Sequence, residues 1–272
     1  MTSNLLDSQL DDILTRALSD AADEVIVVNP SGTAIEDLVR VATDSDGDLP
    51  EIRLLADERT LKDVMDDFIV ASNAADLIDE GSLSLRTTEN GGENSLLVTA
   101  DSVVALVDAG SQVGGLTADD DGFVEAAHDA YATQWENADD FHLRTPPISR
   151  VRETLADEIS ADAEADFTTI LGSLETARGD GDGLDEVTIS LLVAAKNEAL
   201  LYDISKWGED VGIASKATFS RTKTTLEEEG LIRTEKVPID VGRPRLRLKL
   251  NEERFDQVTP AELAAVTLNH SA

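Results

Sequence analysis

The chain has no cysteine, which excludes a disulfide framework, a thiolate zinc site and a cysteine nucleophile. Histidines number 3. His128, His142 and His270 show no metal-ligand spacing, and each reads better as a solvated or core side chain. Aromatic residues make up only 4% of the chain, and 22 Lys+Arg stand against 56 Asp+Glu. No apolar stretch reaches the roughly 20 residues of a membrane span. The opening residues, MTSNLLDSQLDD, carry neither the basic segment nor the apolar run of a secretory leader, so a cytoplasmic protein without a membrane partner is expected. A P-loop, a Gly-x-Gly-x-x-Gly fingerprint and a nucleophile elbow are also missing. Residues 44–48 place carboxylates at the first, third and fifth positions of a calcium loop. Leu49 then replaces the glycine and Leu55 the closing glutamate. Residues 119–122 fail similarly, with His128 at the glutamate position. No catalytic residue, metal or cofactor is assigned.

What remains is acidic and periodic. The net charge is -34 over 272 residues, yet 41% are hydrophobic and fall in regular blocks, which argues against a disordered acidic chain. Arg outnumbers Lys by about two to one, and Asp is spread over the whole length. The composition resembles the surface of a salt-in halophile protein, so the acidity reads as habitat rather than function. The length suits two domains, each with its own core.

Apolar residues recur at spacings of three and four from Leu6 to Leu18, predicting an amphipathic helix that ends near Asp20. Residues 24–29, EVIVVN, are apolar and β-branched, as in a strand buried on both faces of a parallel sheet. Pro30-Ser31-Gly32-Thr33 then turns the chain into a helix carrying Ile35, Leu38, Val39 and Ala42. Strands are expected at 52–56 and 83–87, with helices at 58–68 and 71–79 between them, giving an α/β domain with right-handed crossovers. After Gly91-Gly92, residues 95–99, 103–108 and 112–116 read as antiparallel strands on one edge. A helix over 121–137 carries Phe123, Ala127, Ala130, Tyr131 and Trp135. The expected division is 1–145 as an effector-sensing domain, 146–183 as a helical linker and dimer seam, 184–257 as a DNA-binding domain and 258–272 as a tail.

Residues 213–250 hold nine of the few cations against five carboxylates, and no other stretch of that length is net positive. Helices are expected over 185–197 and 200–210, then a sharp turn at Gly212. Next comes a third helix capped by Ser215, with Phe219 and Leu226 inward and Gly230 closing it. Alternating strands at 231–237 and 245–250 complete the order of a winged helix-turn-helix. An α-helix fits the DNA major groove, and short polar or forked cationic side chains on its exposed face read base edges. Lys216, Thr218, Ser220, Arg221 and Thr224 fall on that face, with Arg221 and Ser220 expected at bases and Lys216 and Lys223 nearer phosphates, and the cap Ser215 counts among the DNA-binding residues. The hairpin tip, Gly242-Arg243-Pro244-Arg245, is narrow enough for a minor groove. Each of these residues taken singly reads almost as well as solvated surface; the cluster together does not. At about 1 M salt the Debye length is roughly 3 Å, so close contacts must supply much of the affinity, and a homodimer would double them.

SKATFSRTKTTLEEEGLI resembles the recognition helix of winged-helix regulators, and VGRPRLRLKL resembles their wing. In acidity and domain order the chain resembles haloarchaeal TbsP-type transcriptional regulators, companions of TrmB-like sugar-responsive repressors. One departure is Lys223, where the wider pattern has an apolar residue, so its stem is expected on the core with the amine outward. The resemblance implies a regulator of metabolic genes, in sugar metabolism and gluconeogenesis, acting on double-stranded DNA under the control of a small phosphorylated metabolite. Ligands of open parallel sheets sit beyond the carboxyl ends of the strands. Ser31, Gly32 and Thr33 at a helix N-terminus, with Arg59 and Arg86, are therefore the candidate effector residues, against a plain cap and surface ion pairs. Two other readings are a sugar-phosphate enzyme with an accessory winged helix, which lacks an acid-base pair, and a winged helix that binds protein rather than DNA.

Overall fold

A computed structural model describes residues 9–45, 47–88, 94–110, 112–178, 184–238, 244–251, 259–260 and 262–263. It divides into two compact units, Met1–Asp66 with Asn73–Leu143, and Asp67–Ser72 with Arg144–Ala272. The first is an α/β unit with a mixed sheet. The second is mostly helical.

In the first unit α1 (Leu10–Asp20) buries Ile13, Leu14 and Leu18. Strand β1 (Glu24–Val28) is buried from its second residue onward, as its unbroken apolar sequence requires. Helix α2 (Gly32–Thr43) starts from Ser31, whose hydroxyl accepts the Ala34 N–H at 3.2 Å. Strand β2 (Glu51–Ala56) runs parallel to β1. Helix α3 (Glu58–Val64) stops short, and α4 (Phe68–Asp79) begins at a residue expected to end the preceding helix. The cause is Asp67, whose Oδ1 accepts the N–H groups of Ile69 at 2.9 Å and Val70 at 3.4 Å and so starts a new helix. The first turn of α4 is grouped with the second unit.

Strand β3 (Leu83–Thr87) lies parallel to β2. Strands β4 (Ser95–Val98), β5 (Val103–Asp108) and β6 (Val113–Ala118) form the expected antiparallel edge. Helix α5 (Asp121–Asn137) is capped by Asp120, and β7 (Asp139–Asp140) closes the other edge. The sheet order is β6-β5-β4-β1-β2-β3-β7. Helix α5 turns Val124 and Trp135 inward, while Phe123 is 54% exposed, so its buried face begins one residue later than expected.

The second unit contains α6 (Ile148–Glu158), α7 (Ala161–Leu171), α8 (Glu186–Lys196), α9 (Leu201–Val211) and α10 (Lys216–Glu228), followed by the antiparallel strands β8 (Ile232–Val237) and β9 (Arg245–Leu250). Val151, Leu155, Phe167, Ile170 and Leu171 from α6 and α7 share one buried cluster with Leu192, Trp207, Phe219 and Leu226. Trp207 Nε1 also donates to Thr154 Oγ1 at 2.9 Å, tying α9 to α6. The apolar stripe that suggested a dimer seam is therefore spent inside the chain. Among the described residues no helix is long and apolar enough to cross a membrane.

Candidate nucleic-acid interface

The surface is built from the turn between α9 and α10. Gly212 takes φ 98, a left-handed conformation that costs glycine nothing. The carbonyl of Gly208 receives the N–H groups of Gly212 at 3.2 Å, Ile213 at 2.8 Å and Ala214 at 3.3 Å, which folds the turn back onto the end of α9. Ser215 caps α10 by accepting the Thr218 N–H at 3.2 Å, and its hydroxyl also meets Thr218 Oγ1 at 3.0 Å. Phe219 and Leu226 are buried. At about 100° per residue, Ala217, Ser220, Arg221 and Thr224 fall on the opposite side, and all four are exposed. Thr218 lies on the flank, half-buried.

The exposed face divides into committed and available groups. Among the described residues the Arg221 side chain reaches only the Ala217 carbonyl, at 3.5 Å. Thr224 Oγ1 donates to the Ser220 carbonyl at 3.0 Å, leaving its oxygen as an acceptor. Lys216 Nζ is held by Glu209 Oε2 at 2.6 Å. This hydrogen bond raises the Lys216 pKa and holds that of Glu209 below the usual carboxylate range.

Lys223 departs from its expected place near phosphate. Its side chain is 13% exposed, and its amine meets Glu227 Oε2 at 2.6 Å. Glu227 Oε1 also accepts from Thr234 Oγ1 at 2.7 Å, so the trio joins α10 to β8. Burial pushes the Glu227 pKa up, but the hydrogen bonds from Lys223 and Thr234 outweigh it and the net shift is downward.

The hairpin is attached through Leu248, whose N–H donates to the Ala199 carbonyl at 2.9 Å. Arg245, expected at its tip, pairs with Asp203 at 3.2 Å and lies over the Tyr202 ring at 4.2 Å. It opens β9 opposite Val237, at the loop end of the hairpin. Arg243 lies outside the described residues. Asp203, Glu209 and Glu227 escaped the sequence reading because a charge pattern shows which residues are cationic, not which acids fold onto them. Gly208 was findable as a lone glycine inside a helical period.

In the first unit the candidate effector residues separate. Ser31 and Thr33 line a cavity of about 640 Å³ together with Asp11, Asp37, Arg40 and Asp108. Gly32 starts α2 above Val64, where an added Cβ would be 3.3 Å from the side chain. Arg59 is exposed and does not line that cavity. Arg86 is committed elsewhere, to Asp140 at 2.9 Å, to the Trp135 carbonyl at 2.6 Å and over the Trp135 ring at 4.8 Å. The cation at the cavity is Arg40, which Asp11 and Asp37 each hold at 2.6 Å. These hydrogen bonds raise its pKa further. Among the described residues no group of three or more acidic or imidazole side chains is placed to hold a metal ion.

Two family models match the chain. Residues 2–146 match the TbsP-like transcriptional regulator N-terminal model, and residues 147–268 match the TbsP-like C-terminal HTH domain model. No curated protein matches. Among solved structures, that of TrmBL2, an archaeal chromatin protein described as showing a novel mode of DNA binding, is 16% identical with a TM-score of 0.38. The match covers 51% of this chain and 52% of that one, so the chain spans about half the length of that protein.

Proposed function

The chain belongs to the TbsP-like transcriptional regulators, and from that premise we propose that it is a sequence-specific DNA-binding regulator whose α10 enters the major groove. One observation carries this reading. Helix α10 is locked from behind by Phe219 and Leu226, and among the described residues it presents Ser220, Arg221 and Thr224 outward with no carboxylate paired to Arg221. We read β8 and β9 as a wing that flanks the groove, with Arg243 and Arg245 near its loop. Arg245 would have to leave Asp203 to touch DNA.

The remaining features of the proposal are a cytoplasmic, halophilic setting, metabolic target genes in sugar metabolism and gluconeogenesis, and two copies reading two half-sites. Because the inward faces of α6 and α7 are packed within the chain, a seam between copies built on them would use their outer faces. A small metabolite acts through the first unit, with the cavity beside Ser31 and Thr33 as the candidate seat. Three carboxylates and one committed guanidinium line it, which favours a neutral, hydroxyl-rich ligand over a phosphorylated one.

The test is selection of bound duplexes from a random pool by the full chain in concentrated potassium chloride. A recurring sequence motif supports the reading. A pool that stays random through successive rounds overturns it.

A further inference from the structure

We propose that Glu209 is an intramolecular competitor for the phosphate site at the start of α10, so that Lys216 engages DNA only by exchanging this carboxylate for a phosphate. The proposal rests on the DNA-binding reading above and adds a residue that sets how strongly the surface discriminates between duplexes.

The first turn of a helix with a lysine beside it is where a protein receives a DNA backbone phosphate. Here the chain's own carboxylate fills that place. Glu209 Oε2 lies 2.6 Å from Lys216 Nζ, and Oε1 lies 3.4 Å from the Lys216 N–H. Ser215 accepts the N–H of Thr218, so two of the N–H groups in the first turn of α10, those of Lys216 and Thr218, have acceptors before DNA arrives. Both members of the pair are 44% exposed, so the contact faces water and can exchange.

The adjacent residue provides an internal contrast. Asp210 carries the same charge one position on, but its carboxylate is taken by Lys206 within α9. Two neighbouring acids thus stand in different relations to the candidate DNA surface. Only one of them holds a cation of α10.

The exchange makes contact at Lys216 conditional. On a duplex that also satisfies Ser220, Arg221 and Thr224, the complex persists and Lys216 can change partner. On other sequences no base contacts fix the register, the phosphate is less well placed, and the carboxylate keeps Lys216. Glu209 therefore weakens binding to arbitrary DNA more than binding to the selected site.

The experiment measures affinity of the full-length protein for a mixed-sequence duplex across a series of potassium chloride concentrations. Glu209→Gln is expected to bind roughly two- to fivefold tighter at the lowest salt, the strength of an exposed ion pair. Its plot of log affinity against log salt should steepen by about 0.9, one further phosphate contact. Asp210→Asn, which removes the same charge, should keep the wild-type slope, and Lys216→Gln added to Glu209→Gln should cancel the gain. Equal gains from Glu209→Gln and Asp210→Asn, or a gain that survives Lys216→Gln, would overturn the proposal by reducing it to bulk charge. If neither the wild type nor any variant binds DNA at any salt, the DNA-binding reading itself fails.

Discussion

The ring of Phe219 lies on the backbone of Gly208 so closely that a Cβ at residue 208 would overlap its Cε2 and Cζ atoms. This contact sets the distance between α9 and α10, and with it the height at which the exposed face of α10 stands above the unit. The same Gly208 supplies the carbonyl that closes the turn. One glycine therefore fixes both the spacing and the connection of the two helices.

Gly208→Ala is predicted to cost about 1–3 kcal/mol through overpacking and to weaken DNA binding by displacing α10. Denaturant unfolding in concentrated potassium chloride measures the first effect. Adding Phe219→Leu should recover part of the loss, because the shorter side chain vacates the overlapping position. Wild-type stability in Gly208→Ala would show that the contact is not tight.

Arg221→Ala should leave the unfolding midpoint unchanged, since the side chain is exposed and, among the described residues, reaches only a backbone carbonyl. Its affinity for a selected duplex should fall by about 1–3 kcal/mol, roughly fivefold to a hundredfold, if the guanidinium reads a base. Fluorescence anisotropy against selected and mixed duplexes separates base reading from a phosphate contact, which would weaken both equally.

Lys223→Met should retain wild-type DNA affinity, because the amine already faces Glu227. A loss as large as that of Arg221→Ala would restore Lys223 to the interface. Glu227 gives the same trio a pH signature. Its carboxyl is held below its ordinary value of 4.5, so its contribution to stability is complete above that value and is lost as pH falls toward the lowered one. The stability gap between wild type and Glu227→Gln should be constant near neutrality and close below about pH 4.5. A gap that persists in acid would contradict the pairing.

Asp67→Ala should destabilise the second unit by about 3 kcal/mol, since donors left unsatisfied in a buried place cost about 1–3 kcal/mol each. The carboxylate is 2% exposed, caps α4, and accepts the Ala177 N–H at 3.2 Å and the Thr176 hydroxyl. Trp207 fluorescence in a Trp135→Phe background reports this unit by itself. Asp67→Asn should cost less, because it keeps the shape and one acceptor.

Local features of the chain were legible before the structure. EVIVVN could only be a buried strand, and Ser215, Gly212 and Gly230 carry their roles in their own chemistry. Phe219 and Leu226 declared the inward side of α10 by their spacing. What could not be read depends on distant partners. Asp67 meets residues 109 and 110 positions away, and Arg86 meets Asp140 and Trp135 at separations of 54 and 49. Arg86 stood as a candidate effector residue because its strand shows nothing of the helix beside it. Arg245 was read from the hairpin sequence alone, whereas its place is fixed by Tyr202 and Asp203 of α9.

The most direct test of the account uses the absence of cysteine, which makes any introduced thiol unique. Ser220→Cys places one on the exposed face of α10, and Thr169→Cys places one on exposed α7 as a reference. The measurement is the rate of maleimide alkylation with and without a saturating selected duplex. The account predicts that DNA slows the reaction at residue 220 and leaves residue 169 unchanged. Protection at residue 169 with free reaction at residue 220 would contradict it.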